Sequence, residues 1–140
     1  MFDRFTEPAR NVMVLARKAA ISLNHDSIGP EHVLLGLAEE DSGILPSVFE
    51  DLDVDVLSVH SEVEAKMQAG EMGEPPRQMP FTQQAQRVLE HTLEEAVSLG
   101  HDHLGTEHLL LGLLREDEGI VSEVLKNRGL QLEAVRARLL

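Results

Sequence analysis

The chain has 140 residues, enough for one domain that buries roughly two thirds of the surface its unfolded form exposes, and it has no cysteine, so disulfides and thiolate metal sites are excluded. Twelve Lys and Arg against 25 Asp and Glu give a net charge of -13, which repels nucleic-acid phosphates and anionic membranes, and no basic patch offsets it. The N-terminus lacks a signal-peptide pattern and no apolar run approaches the ~18 residues that span a bilayer, which predicts a soluble protein, and the absence of cysteine fits a reducing, cytoplasmic compartment.

Aromatic residues make up only 3% of the chain, while Leu, Val and Ala dominate, a composition that favours helix-on-helix packing over a sheet. Thr6 opens the first helix: its hydroxyl can accept from free backbone N–H groups, Pro8 suits the first turn, and Ala9, Val12, Ala16, Ala19, Ala20 and Leu23 form an apolar stripe. A short second helix follows Gly29, and the run Val33-Leu34-Leu35 predicts burial on most sides. A third spans about 44–51, and a fourth begins after Asp55, with Val56, Val59, Val63 and Met67 at helical spacing. The Gly- and Pro-rich stretch that ends in Arg77-Gln78-Met79-Pro80 predicts a linker without regular structure. Thr82 then opens a helix with Ala85, Val88, Leu89, Ala96 and Leu99 on its inner face, and Gly105 precedes another carrying Leu109-Leu110-Leu111. Helices near 120–127 and around Leu132, Val135 and Leu139 complete the series.

The second half repeats the first. Shifted by 76 residues, Phe5 to Glu64 aligns with Phe81 to Leu140 without a gap, with 22 identities in 60 positions. The densest block pairs Leu23, His25, Asp26, Gly29, Glu31 and His32 with Leu99, His101, Asp102, Gly105, Glu107 and His108. One 60-residue unit has a thin core, so the expected fold is all-α: a single domain over 1–140 made of repeat one (5–69), a linker (70–80) and repeat two (81–140). The two four-helix repeats are expected to pack face to face with pseudo-twofold symmetry and to present paired surface sites.

The start Arg4-Phe5-Thr6, the block from His25 through Ile28-Gly29, Glu31-His32 and Leu34-Leu35-Gly36-Leu37, and its copy from His101 to Leu113 resemble the Clp N-terminal repeat over the whole chain. The Met-Phe-x-Arg-Phe-Thr opening, the linker length and Pro80-Phe81-Thr82 are most similar to the N-terminal domain of ClpC-type unfoldases. The resemblance implies a substrate- and adaptor-binding domain set on an ATP-driven AAA+ ring that feeds a partner peptidase through a following segment. The chain itself has no G-x-x-x-x-G-K-[ST] loop, so it is expected to be neither an ATPase nor any other enzyme, and to need no cofactor. Ending within the fourth helix of repeat two, it reads as an excised domain. The alternative is a free-standing Clp-N-like adaptor or decoy protein without ATPase activity.

Glu31 and Glu107 occupy equivalent places in the first turn of the second helix of each repeat, where a carboxylate complements the helix dipole. The resemblance gives them a further role, binding the guanidinium of phosphorylated arginine on client proteins, a pairing for which carboxylates are suited. For the phosphate the expected places are the openings of the first helices at Thr6 and Thr82, with Arg10 and Arg87 as helpers. The sequence departs from the family here: Glu7-Pro8 and Gln83-Gln84 follow the Phe-Thr pairs, Gln86 stands where lysine is frequent, and Pro30 replaces the threonine kept as Thr106. Phe2 resembles groove aromatics of the family and has core packing as its alternative, whereas Phe81 reads as a buried staple. The histidines at matching positions predict a hydrogen bond between loop and helix in preference to a metal site. Glu31-His32 and Glu107-His108 are adjacent on a helix and do not face one another, which speaks against a Glu–His hydrolase.

Overall fold

Two threonines start the long helices. In the computed structural model, which describes residues 2–139 except the side chain of Phe2, Thr6 Oγ1 accepts from the Ala9 N–H at 3.3 Å and Thr82 Oγ1 from the Ala85 N–H at 3.1 Å. They open α1 (Glu7–Ser22) and α5 (Gln83–Ser98), the first preceded by a short 3-10 turn, Phe2–Arg4. Both run into a left-handed residue, Asn24 in repeat one and Gly100 in repeat two, which turns the chain back toward the core. The remaining helices are α2 (Pro30–Glu39), α3 (Leu45–Asp51) and α4 (Val56–Lys66), then α6 (Thr106–Leu114), α7 (Ile120–Asn127) and α8 (Leu132–Leu139). The described residues thus form an all-α domain of two four-helix sets. The third helix begins one residue later than its spacing suggests, with Ile44 as its N-cap and 44% exposed.

The core is built around α2 and α6, whose apolar runs are buried on nearly every side. Val33, Leu34, Leu35 and Leu37 on α2 and Leu109, Leu110, Leu111 and Leu113 on α6 are all at most 2% exposed. α1 packs on α2 and α5 on α6, while α2 and α6 also touch each other and α4 meets α7 across the repeats. Of the stripe on α1, Ala9, Val12, Ala16 and Ala20 are fully buried and Ala19 and Leu23 partly so. Phe5 is buried, but its twin Phe81 is only half-buried against the core, so the expected staple is complete in one repeat alone.

Two features separate the repeats. Repeat two buries the carboxylate of Glu95, 2% exposed, in a fork from Arg136, with Nε to Oε1 at 2.8 Å and Nη2 to Oε2 at 2.7 Å, and Arg115 adds a third contact at 3.3 Å. The Arg136 hydrogen bonds hold the Glu95 carboxyl below its ordinary range against the opposing effect of burial. Repeat one has Ala19, His60 and Glu39 at these three positions. The other difference is the linker, which straps repeat one. Gly70 and Met72 donate to the carbonyls of Leu23 and Asn24, and Arg17 reaches the carbonyl of Pro76 at 3.1 Å.

Close approach of α1 to α2 and of α5 to α6 depends on glycine. A Cβ at Gly36 would lie 2.6 Å from the Val12 carbonyl oxygen, and one at Gly112 2.7 Å from that of Val88. Alanine is favoured over glycine in a helix by about 1 kcal/mol, but backbone oxygens cannot swing aside. Gly36→Ala and Gly112→Ala are each expected to lower stability by about 1–3 kcal/mol, read as a fall in denaturation midpoint in urea; a rise would mean the helices can separate freely.

Candidate functional site

The loop that enters each second helix is paired with the opposite repeat. Leu104 donates to the Arg4 carbonyl at 2.9 Å and accepts from the Thr6 N–H at 2.9 Å, a two-bond parallel bridge centred on Phe5. Ile28 does the same between Pro80 and Thr82, again at 2.9 Å for both bonds. Since Phe5 is equivalent to Phe81 and Ile28 to Leu104, the two bridges exchange under the repeat, which is the signature of a pseudo-twofold. They set the Thr6 end of α1 beside the segment that carries Glu107, and the Thr82 end of α5 beside the segment that carries Glu31. Each junction therefore contains residues of both repeats and two helix N-termini, where unpaired N–H groups and the helix dipole favour negative charge.

Glycine makes room for both glutamates. Gly29 and Gly105 have ordinary extended backbones, with φ near -104 and -102, so their conformation does not demand glycine. A Cβ at either would strike the carboxylate of Glu31 or Glu107, which folds back over the helix start. The Glu107 side chain is 13% exposed, with His103 Nε2 3.9 Å away; repeat one has Ser27 in place of His103. On the other side of this junction, loop residue Gly43 meets Thr106 and Pro8. The corresponding loop of repeat two is held by Gln84 Nε2 donating to the Glu118 carbonyl at 3.1 Å.

The structure brings the expected site residues together unequally. Arg10, exposed on the first turns of α1, donates from Nη2 to the Asp3 carbonyl at 3.4 Å, and Arg4 reaches the Asp102 carbonyl, also at 3.4 Å. Cations thus gather at the Thr6–Glu107 junction, whereas the Thr82–Glu31 junction has Pro80 and Gln86 at the equivalent positions. Arg87 pairs with Glu116 at 3.7 Å, within repeat two. The side chain of Phe2 lies outside the described residues. In the sequence Arg4 stands out only as part of the Arg4-Phe5-Thr6 start and not as a site cation, and nothing marks the cross-repeat bridges; the 76-residue shift of Arg4 onto Pro80 is the signal that reveals the asymmetry.

Behind each glutamate runs a histidine relay that fixes its own tautomers. The Gly29 N–H donates to His32 Nδ1 at 2.8 Å, so in the neutral ring Nε2 carries the proton and donates to His25 Nδ1 at 2.8 Å; His25 Nε2 then donates to the Gln68 carbonyl at 2.7 Å. Gly105, His108 and His101 repeat the first two links at 2.8 Å each. His101, His103 and His108 together place ligand-type nitrogens within 4.8 Å of one another. The relay, however, puts a proton on the inward Nε2 of His108 that a metal would have to displace while Nδ1 is already accepting. Burial, followed by the charge of His25, lowers the His32 pKa to about 4, and burial likewise pushes His108 down against the pull of Glu107.

With this geometry in view, residues 4–137 match the family described as Clp repeat (R) N-terminal domain. The chain belongs to the Clp N-terminal repeat family. It is 46% identical over all 140 residues to the ATP-dependent Clp protease ATP-binding subunit ClpA homolog of Guillardia theta. It is 41% identical over the same length to the negative regulator of genetic competence ClpC/MecB of Bacillus subtilis. It spans 17% of the length of each of these two relatives. Among solved structures, the N-terminal domain of ClpD from Arabidopsis thaliana is similar over 100% of both chains, with a TM-score of 0.77 and 28% identity. The Clp N-terminal repeat is an accessory module, and the chain is accordingly non-catalytic. Among the described residues no helix is long and apolar enough to cross a membrane.

The relays are expected to make this Clp-N domain lose stability in acid. The folded His32 binds its proton less readily than the unfolded chain does, so its contribution is complete above pH ~6.5 and is lost as the pH falls toward 4. Urea denaturation should show a loss of roughly 2–3 kcal/mol for this ring across that window. In His32→Asn, whose Oδ1 can still accept from the Gly29 N–H, this share of the loss should vanish; an unchanged pH profile would remove the relay as its cause.

Proposed function

We propose that this domain is the substrate- and adaptor-binding module of a cytoplasmic ClpC-type unfoldase, and that its two inter-repeat junctions receive arginine side chains of client proteins, phosphorylated arginine in particular. The proposal takes residues 1–140 as one module joined to an AAA+ ring and its peptidase by a following segment. The observation that carries it is the convergence, twice over, of a carboxylate folded across a glycine with the open N-terminus of a helix from the other repeat. A phosphoguanidine needs both partners. Its guanidine N–H groups can be taken by Glu31 or Glu107, and its phosphoryl oxygens by main-chain N–H groups at the helix starts, those of Gln83 and Gln84 on α5 and that of Glu7 on α1, where Pro8 has none and Ala9 donates to Thr6. Thr6 and Thr82 cap those openings, and Arg10 supplies a charge at the first junction that Gln86 does not supply at the second. Phe2 and Arg87 belong to the proposal as peripheral contacts.

The charge difference ranks the sites. Loss of one charge-assisted contact is worth roughly 1.5–3 kcal/mol, so the Glu107 junction should bind phosphoarginine about tenfold or more tightly than the Glu31 junction. An amide NMR titration with phosphoarginine on the wild type, Glu31→Ala, Glu107→Ala and the double variant tests this. Saturable shifts at both helix starts, the weaker set near Glu31, are expected to disappear junction by junction in the variants. Absence of shifts at millimolar ligand would leave adaptor docking without phosphoarginine recognition.

A further inference from the structure

The ion cluster around the buried Glu95 of repeat two has a hollow for its counterpart. Glu95, Arg115 and Arg136 fill the space between α5, α6 and α8, but repeat one places Ala19, Glu39 and His60 there, and a cavity of about 260 Å³ opens between α1, α2 and α4. Its floor is apolar, made by Leu15, Ala19, Leu23 and Leu35. Its rim carries Glu39 and Glu64 with His60 between them, 3.4 Å from Glu39 Oε2 and 3.1 Å from Glu64 Oε1. Lys18, exposed on α1, completes the charged rim. Glu39 and Glu64 carry two negative charges against the one positive charge of Lys18.

We infer that this cavity is a third binding site, which takes an arginine side chain from an extended segment of a partner protein. Repeat two supplies the template: there the fold fills the equivalent space with guanidinium groups reaching a carboxylate from the C-cap of α6 and from α8. Repeat one lacks both arginines and keeps carboxylates instead, on α2 and α4, with alanine at the base where Glu95 would stand. An incoming arginine meets leucines along its aliphatic stem and two acceptors at its planar head, an arrangement suited to its fork of N–H donors. His60 already lies between the two acceptors and would be displaced from one of them. The volume is below the roughly 300–1,000 Å³ of small-molecule pockets and on the scale of one long side chain. Both carboxylates are about half exposed, 48% for Glu39 and 52% for Glu64, so they are reachable from outside.

The site is distinct from the two junctions and has its own reporters. N-acetyl-arginine amide titrated into the 140-residue chain should give saturable amide shifts at Ala19, Ser22, Glu39 and His60, and the neutral isostere N-acetyl-citrulline amide should give none there. Ala19→Leu fills the base of the cavity and should abolish these shifts while leaving any at Glu31 and Glu107 unchanged. Glu39→Gln with Glu64→Gln, on the surface and without risk to the core, should weaken the affinity about tenfold or more. Shifts that persist in Ala19→Leu, or an equal response to N-acetyl-lysine amide or the citrulline probe, would overturn the assignment, as would no saturable response at these four amides.

Discussion

Four backbone hydrogen bonds, two at Leu104 and two at Ile28, tie each repeat's helix-entry loop to the chain that leads into the other repeat's first helix. Backbone groups in such a place must be satisfied once water is excluded, and neither loop has a strand of its own repeat to pair with. The repeats are therefore obligate partners in geometry as well as in core packing. Because the bridges adjoin Thr6 and Thr82, they also fix where two helix N-termini stand relative to Glu107 and Glu31. Removal of one repeat would free the other's loop and dissolve both junctions together.

Within that shared frame the repeats have diverged in how they close their outer faces. Repeat two uses a buried carboxylate with two guanidinium groups, an arrangement that is specific in geometry and costly to desolvate. Repeat one uses small apolar residues, a linker strapped over α1, and rim charges that remain in water. The contrast is centred on one position, Ala19 against Glu95, and it propagates to every side chain that faces it. The net charge of -13 is accordingly not spread evenly in kind: some carboxylates are consumed in structure, while others such as Glu39 and Glu64 stay at the surface.

Much of the fold was legible because its signals are local. Thr6 and Thr82 announce helix starts through a hydroxyl three residues from the N–H they cap, and the leucine runs of α2 and α6 announce burial through composition alone. The positions of Glu31 and Glu107 followed from the repeat. What eluded the sequence is nonlocal or backbone-borne. Leu104 and Ile28 make their cross-repeat bonds with main-chain atoms, which leave no trace in residue type. Glu95 looks like a surface residue of a helix until Arg136, 41 positions later, is seen to meet it. Phe81 repeats Phe5 exactly in sequence yet is less buried, because burial depends on what packs over it.

The exchanged bridges carry a historical implication. A single ancestral repeat that paired with a second copy about a twofold axis would have made the same contacts isologously, Phe5 of one copy on the Ile28 equivalent of the other, and would have had two identical junctions from the outset. Gene fusion through a short linker would then have released each half to vary alone. A change in one repeat alters half of each junction, never the whole of one, so Pro30 touches the Glu31 side while Arg10 touches the Glu107 side. Two sites that began as copies can in this way come to discriminate between ligands without either repeat losing its fold.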